Sequence, residues 1–245
     1  MLALVIGLSV LLVTLSPVKG LITSDSHVAR AAILDQLDLS YPNPEFVRAA
    51  TSTLEDSGYE VDYYRGPEVT VELYRRLPQL DYDVVIFRVH SGLVAEVDES
   101  SGSETLTDYV SLFTGEPYSE SKYTREVREG PLGIASQFEG GPQYFGVGPS
   151  FVESEMKGRF DDTLVILMGC DGLRSSKTAE AFLSRGARGF VSWDKPVTAE
   201  HTDAATERLL QHLFIDKLDL KKAVEQTSDE VGTDPTFGSR LLVYP

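Results

Sequence analysis

Cys170 and His90 have side chains that together can perform nucleophilic catalysis, and each follows a short apolar run. Cys170 comes after 164–168 and a glycine, and His90 comes after the mostly apolar run 84–89. Such runs predict short, fully buried strands of a parallel sheet, and these sheets hold their ligands at the carboxyl ends of the strands. A thiol and an imidazole at one sheet edge predict a cysteine nucleophile with a histidine as general acid and base.

The residues beside this pair are candidates for binding the negative charge that develops on a carbonyl under attack. Ser91 and Gly92 follow His90 directly, and their backbone N–H groups, with that of Cys170, are the expected oxyanion donors. Glycine permits close approach of the carbonyl, and removal of one such donor commonly costs about 10²–10³ in rate. A helix beginning after Cys170 would also favour the thiolate.

Three further residues each have two open interpretations. Asp171 either lines a substrate pocket that selects Arg or Lys, or caps the loop after its strand. Trp193 either walls the substrate pocket or packs in the core or at its rim. His201 is either a second base or metal ligand, or a capping or surface histidine.

The elements that must position these residues alternate between strand and helix. Apolar runs and alternation predict strands at 31–34, 59–64, 84–89, 164–168 and 187–193. Helical spacing and capping residues predict helices at 43–57, 70–77, 176–184, 198–214 and 218–231. This alternation predicts an α/β fold, a three-layer α/β/α sandwich with a mainly parallel sheet.

The stretch 93–160 differs in character, because it is rich in Gly, Ser, Glu and Tyr. It contains short extended pieces at 109–113 and 143–146. A long insertion at the mouth of a sheet commonly builds a binding site or a lid. We therefore expect one α/β domain over residues 28–245 with an insertion at about 93–160.

Composition narrows the classes of partner. The chain has 245 residues, 42% of them hydrophobic, and 22 basic against 38 acidic residues give a net charge of −16. Such a surface repels nucleic acid and anionic lipid and attracts cationic substrates, so we expect a peptide or protein substrate and no nucleic acid. The single cysteine excludes an internal disulfide framework.

The N-terminal segment 2–15 has no charged residue, and the first cation is Lys19. Its length is that of a signal-peptide core and is short for a membrane span, which needs about 20 apolar residues. We expect residues 1–20 to be a signal peptide or membrane anchor, and the protein to be extracytoplasmic, secreted or membrane-anchored.

Cofactor signals are few. The acidic stretch 96–104 has oxygen ligands of the kind that Ca²⁺ takes, but it fits no calcium-loop spacing and is also typical of a solvated surface. No Cys/His cluster and no glycine-rich phosphate loop occurs in the sequence. Apart from calcium, we expect no cofactor and no resident metal.

The two blocks that contain His90-Ser-Gly and Gly-Cys170-Asp-Gly resemble the caspase–hemoglobinase fold of cysteine peptidases, which includes caspases, metacaspases, legumain, clostripain, gingipain, separase and CHAT domains. The segment 179–197 is similar to the part of CHAT domains that follows their cysteine. The resemblance covers roughly 31–214 and implies that Cys170 is the nucleophile and His90 the family histidine. The family usually has His-Gly where this chain has His-Ser-Gly, which leaves the oxyanion donor open between Ser91 and Gly92.

The residues and the resemblance together predict a cysteine endopeptidase that acts through a thioester acyl-enzyme. The acidic composition suggests cleavage after basic residues. An inactive peptidase-like domain that only binds a partner is the alternative, and a different acyl transfer, such as ligation or hydrolysis of a small amide, is a third hypothesis.

Overall fold

Strands and helices alternate along residues 28–97 and 103–245, the part of the chain that the computed structural model describes. Short 3-10 helices (Gln36–Leu39, Gly66–Glu68, Leu77–Gln79) and one π-helical turn (Gln211–Ile215) join them. In chain order the elements are β1 (Arg30–Asp35), α1 (Pro44–Asp56), β2 (Glu60–Arg65), α2 (Val71–Arg76), β3 (Val84–Arg88), β4 (Ser91–Val97), β5 (Glu104–Pro117), α3 (Thr124–Glu129), β6 (Leu132–Ser136), β7 (Gln143–Val147), α4 (Pro149–Ser154), β8 (Thr163–Leu167), α5 (Lys177–Ser184), β9 (Ala187–Trp193), α6 (Ala199–Leu210), α7 (Leu220–Val231) and β10 (Leu241–Tyr244).

The main sheet has six strands in the order β10-β9-β8-β3-β1-β2. All neighbouring strands are parallel except β10, which runs antiparallel to β9. The predicted α/β class is therefore confirmed. Each of the five predicted strands corresponds to a strand of this sheet, whereas β10 was not predicted.

Both faces of the main sheet are buried along β1, β3 and β8, which explains the apolar runs of these strands. Along β1, Ala32 and Leu34 pack into one apolar cluster, and Ala31 and Ile33 pack into the other. Residues of α1, α6 and α7 belong to the second cluster, and residues of α2, α4, α5 and the antiparallel strands belong to the first. The alternation along β1 thus places helices against both faces.

The region predicted as an insertion forms a second sheet, antiparallel, in the order β4-β5-β7-β6. The extended pieces predicted at 109–113 and 143–146 lie in β5 and β7. The second sheet begins at Ser91, immediately after His90 and two residues before the predicted start of the insertion at about 93. Its inward side chains, such as Val110 and Phe145, are fully buried in the cluster shared with the main sheet.

Local signals for the helices are largely as predicted. The Asn43 side chain accepts a hydrogen bond from the Phe46 backbone N–H at 3.1 Å, which caps α1. Gly58 has φ +91°, a conformation that favours glycine and ends the helix. The helix predicted over 198–214 ends as an α-helix at Leu210 and continues as the π-helical turn.

Some expectations concern residues that the structure does not describe. The signal peptide or anchor at 1–20 lies outside the described residues, as do 98–102 of the acidic stretch expected to hold calcium. Within residues 28–97 and 103–245, no helix is long and apolar enough to cross a membrane. In the same ranges, no group of three or more His, Cys, Asp or Glu side chains could hold a metal ion.

Candidate functional site

Strands β3 and β8 are neighbours, and their parallel register brings Cys170 and His90 to one edge of the main sheet. Phe87 pairs with Leu167, and His90 and Cys170 each lie three residues beyond these partners. Both side chains line a cavity of about 440 Å³ at the carboxyl ends of the strands. We call this the Cys170–His90 cavity.

The Cys170 thiol is half-buried and contacts the backbone of the segment after β9. The Val197 backbone N–H donates to Sγ at 3.4 Å, and Sγ lies 3.7 Å from the carbonyl oxygen of the same residue. Burial raises the pKa of the Cys170 thiol, and the nearby carboxylates of Asp171 and Asp234 act in the same direction. The Val197 contact opposes this effect without reversing it. At neutral pH the thiol is therefore protonated.

The His90 imidazole is held by the segment that follows β1. Ser40 Oγ lies 3.0 Å from His90 Nε2, and the backbone N–H of His90 donates to Gln36 Oε1 at 2.9 Å. The imidazole also lies between two aromatic rings, with ring centroids 5.8 Å from Tyr41 and 5.7 Å from Phe113. These contacts fix the position and the tilt of the ring.

The electrostatic surroundings keep the imidazole neutral. Burial lowers the pKa of His90 to about 4, and the positive charge of Arg88 acts in the same direction. If Nε2–H donates to Ser40 Oγ, the lone pair is on Nδ1 and can accept a proton. Such a ring is a general base at neutral pH, and it can act as an acid only after it has taken up a proton.

Ser91 connects the start of the second sheet to the backbone of the cysteine. Its buried hydroxyl donates to the Cys170 carbonyl oxygen at 2.6 Å. The two segments approach so closely that a side chain at Gly169 would overlap Ser91 Oγ and lie 2.6 Å from the Val89 carbonyl oxygen. Glycine before the cysteine is therefore required by packing.

The β4–β5 ladder distinguishes between the two candidate oxyanion donors. Phe113 N–H donates to the His90 carbonyl at 2.9 Å, and Gly92 pairs with Ser111 two residues further along. Because hydrogen-bonded pairs alternate in an antiparallel ladder, the Gly92 N–H points toward β5. The Ser91 N–H points away from β5, on the outer edge of β4, which is an edge strand. This geometry favours Ser91 over Gly92.

Three residues considered in the sequence do not line the cavity. Asp171 pairs with Arg174, whose Nη1 lies 3.2 Å from Oδ1. Trp193 is fully buried in the core, where its indole N–H donates to Thr202 Oγ1 at 2.9 Å. The His201 ring packs against Trp193 at a centroid distance of 5.3 Å. The substrate-pocket roles expected for Asp171 and Trp193 are thus not met in this cavity.

Other residues of the site were not identified from the sequence. Glu200, at the start of α6, lines the cavity, as do Phe113 and Phe237. Ser40 and Tyr41 follow β1, which neighbours β3, so their positions depend on the order of strands in the sheet.

Comparisons with known proteins add little to this geometry. No protein-family model matches the chain, and no curated protein matches it. Among solved structures it is similar to protein GSU0716 from Geobacter sulfurreducens, at 10% sequence identity and a TM-score of 0.40, over 89% of this chain and 94% of the other. A similarity of this size indicates neither a family nor a function.

Proposed function

We propose that this protein is a cysteine endopeptidase in which Cys170 attacks a peptide carbonyl and His90 transfers the proton. The observation that carries the proposal is the placement of both side chains in one cavity, at equivalent positions after neighbouring parallel strands. Ligands of open α/β sheets bind at this edge. The resemblance to the caspase–hemoglobinase peptidases agrees with the same two roles.

The chemistry follows from a neutral thiol and a neutral imidazole. As Sγ of Cys170 bonds to the carbonyl carbon, the thiol proton passes to Nδ1 of His90 and the carbonyl oxygen takes the electron pair of its π-bond. The backbone N–H groups of Cys170 and Ser91 are the proposed donors to this oxyanion. When the C–N bond breaks, His90 gives its proton to the leaving amine and a thioester remains.

Hydrolysis of the thioester restores the site. Water gives a proton to His90 while its oxygen bonds to the acyl carbon, and the C–S bond then breaks. The proton returns to Sγ of Cys170, and the carboxylic acid leaves. His90 therefore needs to be neutral at the start of both half-reactions, in agreement with a pKa near 4.

Glu200 is the proposed determinant of a preference for basic residues before the cleaved bond. It is an exposed carboxylate on the wall of the Cys170–His90 cavity, whereas Asp171 is paired with Arg174. The net charge of −16 favours cationic peptides over the whole surface.

A peptidase-like binding domain is the second candidate, and one observation favours it. The raised pKa of the Cys170 thiol is the opposite of what activates most nucleophilic cysteines. In this case the cavity would hold a peptide without cleaving it.

The proposal also includes the layer arrangement of the fold and the location of the protein. Helices against both faces of the main sheet support a caspase-like three-layer arrangement. The uncharged segment 2–15 supports export or anchoring at a membrane.

The test combines peptide cleavage with labelling by a peptidyl acyloxymethyl ketone, which reacts with a cysteine only when the peptide occupies the site. Cys170→Ala removes the only cysteine, so labelling reports this residue alone. We expect Cys170→Ala and His90→Gln to abolish cleavage and labelling, and His201→Gln, a matched control outside the cavity, to preserve both. Unchanged cleavage by Cys170→Ala would refute the proposal. Peptide binding without cleavage or labelling by the wild type would support the binding domain.

A further inference from the structure

Arg88 lies at the centre of a fully buried ion cluster beneath the Cys170–His90 cavity. Its Nη1 donates to Asp35 Oδ1 at 2.7 Å, while Nε and Nη2 donate to the two carboxylate oxygens of Asp203 at 2.8 Å each. Asp35 is the register partner of Arg88 on β1, and Asp203 comes from α6. One guanidinium thus joins β1, β3 and α6 at the end of the sheet where the cavity opens.

A fully buried charge of this kind needs a reason, because hydrophobic residues of similar volume commonly give equal or greater stability. The reason is found in the fourth contact of the guanidinium. Nη2 also donates to the Tyr41 carbonyl at 2.9 Å, and Tyr41 and its neighbour Ser40 are two of the residues that contact the His90 ring. The ion cluster therefore fixes the backbone at Tyr41, and the residues Ser40 and Tyr41 in turn contact the His90 imidazole.

We infer that Arg88 is a positioning residue for His90, which fixes the ring through Tyr41 and Ser40 and places a permanent positive charge beneath it. This inference rests on the proposed function for its catalytic meaning, but the geometry itself does not depend on that function.

Further contacts brace the same cluster. Asn43, which caps α1, donates to Asp203 Oδ2 at 2.8 Å, and the Tyr63 hydroxyl donates to Asp35 Oδ2 at 3.0 Å. The guanidinium also lies 5.5 Å from the ring centroid of Phe46. Each carboxylate oxygen of the cluster accordingly accepts at least one hydrogen bond. Segment 40–43 is therefore bonded to Arg88 at Tyr41 and to Asp203 at Asn43.

Besides burial, the positive charge of Arg88 lowers the pKa of His90. Tyr41 contacts the ring from the segment after β1, and the cavity that the ring lines is also lined by Cys170, after β8, and by Glu200, at the start of α6. The carboxylates of Asp35 and Asp203 are both paired with Arg88. The raised pKa of Cys170 keeps this thiol uncharged at neutral pH, and the Glu200 side chain is exposed to solvent, which screens charge. The Arg88 charge acts together with burial to lower the pKa of His90.

The experiment is a titration of the His90 ring by NMR, with its resonance assigned by His90→Gln. Arg88→Met alone would leave two buried carboxylates without a counter-charge, so the main variant is Arg88→Met with Asp203→Asn. Burial raises the pKa of Asp35, so this carboxyl can become neutral in the variant. The matched control is Arg75→Met with Glu155→Gln, which removes a largely buried arginine–carboxylate pair with an N–O distance of 2.9 Å, formed by α2 and the residue that directly follows α4, away from the cavity.

We expect the Arg88/Asp203 variant to raise the pKa of His90 from about 4 but to leave it below the ordinary value of 6.5, because burial, the larger cause, remains. We also expect a weaker nuclear Overhauser effect between the His90 and Tyr41 rings. The Arg75/Glu155 control should leave both unchanged. A folded Arg88/Asp203 variant with an unchanged titration and an unchanged ring contact would overturn the inference.

A second variant covers the case in which the double variant does not fold. Arg88→Lys keeps the charge but cannot donate to Asp203 and Tyr41 together, since it lacks the planar fork. We expect this variant to retain a low His90 pKa and to lose the ring contact, and retention of the contact would overturn the positioning role. None of these measurements uses a peptide. A protein that shows the expected His90 titration but cleaves no peptide would therefore contradict the peptidase function and leave the positioning role of Arg88 intact.

Discussion

Replacing Ser91 with alanine should lower the free energy of unfolding by about 1–2 kcal/mol. The Ser91 hydroxyl donates to the Cys170 carbonyl at 2.6 Å and is buried where β4 begins. Loss of a hydrogen bond that leaves a buried acceptor without its donor costs about 1–3 kcal/mol. Because the Cys170 carbonyl lies beside a cavity that can admit water, we place the cost in the lower part of this range.

Ser111 provides a matched control in the same hairpin. Its hydroxyl is buried, and within the described residues it has no hydrogen-bond partner. Removing an unpaired buried hydroxyl relieves a desolvation cost, so Ser111→Ala should be neutral or stabilise the protein by up to about 1 kcal/mol. The two variants make the same chemical change, and only the hydrogen bond differs.

Urea denaturation monitored by Trp193 fluorescence would measure both variants, and thermal unfolding should show a decrease of about 2–4 °C per kcal/mol for a chain of this length. The reasoning would be refuted by equal effects at Ser91 and Ser111, or by a Ser91 variant as stable as the wild type. A separate readout is the peptidyl electrophile: Ser91→Ala should slow the labelling of Cys170, because the cysteine backbone loses a contact that orients it.

Three further predictions concern charge in the cavity. The free energy of unfolding should be about 2–3 kcal/mol lower at about pH 4.5 than at pH 7 because of His90. Between the unfolded pKa of 6.5 and the folded pKa near 4, the unfolded state binds a proton at this residue and the folded state does not, so the protein loses stability as the pH falls. His90→Gln should remove this loss in urea denaturation at the two pH values. Glu200→Gln should reduce the preference for lysine over norleucine before the cleaved bond by up to about fivefold, the size expected for an exposed ion pair, and an unchanged preference would exclude Glu200 as its determinant. The rate of Cys170 alkylation by iodoacetamide should rise with a midpoint at higher pH than that of a free thiol, and a plateau at neutral pH would contradict the neutral thiol.

The strands that position the site could be predicted because they are buried on both faces. The runs that became β3 and β8 are mostly apolar segments, and their length and turn signals are sufficient to identify them. By contrast, β10 has only four residues near the end of the chain, and three of them are partly exposed. Its pairing with β9 is a long-range contact that a short local pattern does not encode.

The site itself could be predicted only where it depends on strand ends. Cys170 and His90 follow strands, so their placement needs only the assumption that those strands are parallel and adjacent. Ser40 and Tyr41 reach His90 because β1 lies beside β3, and strand order is set by the packing of the whole sheet. Trp193 is the last residue of β9, whereas Cys170 lies three residues beyond β8, and the Trp193 side chain contacts Thr202 of α6 in the core and not the cavity.

The sequence contains a signal for a buried ion pair at Arg88. It is a charged residue within a run predicted to be fully buried, and a buried charge requires a partner. Asp35, at the corresponding end of β1, is the partner that follows when β1 and β3 are neighbouring strands. Asp203 was not available in this way, because it comes from a helix that begins more than a hundred residues later.

The pKa directions of Cys170 and His90 have a common consequence for the mechanism. A thiolate–imidazolium pair would need a lowered pKa for the thiol and a raised one for the imidazole, and the structure has both in the reverse direction. In the proposed mechanism, charge separation occurs while the carbonyl is attacked, when the developing oxyanion can be stabilised by backbone N–H groups. In such a site the position of the base matters more than its charge before substrate binds. In the proposed mechanism this gives a role to the attachment of the Arg88 ion cluster to Tyr41, in the segment that holds His90.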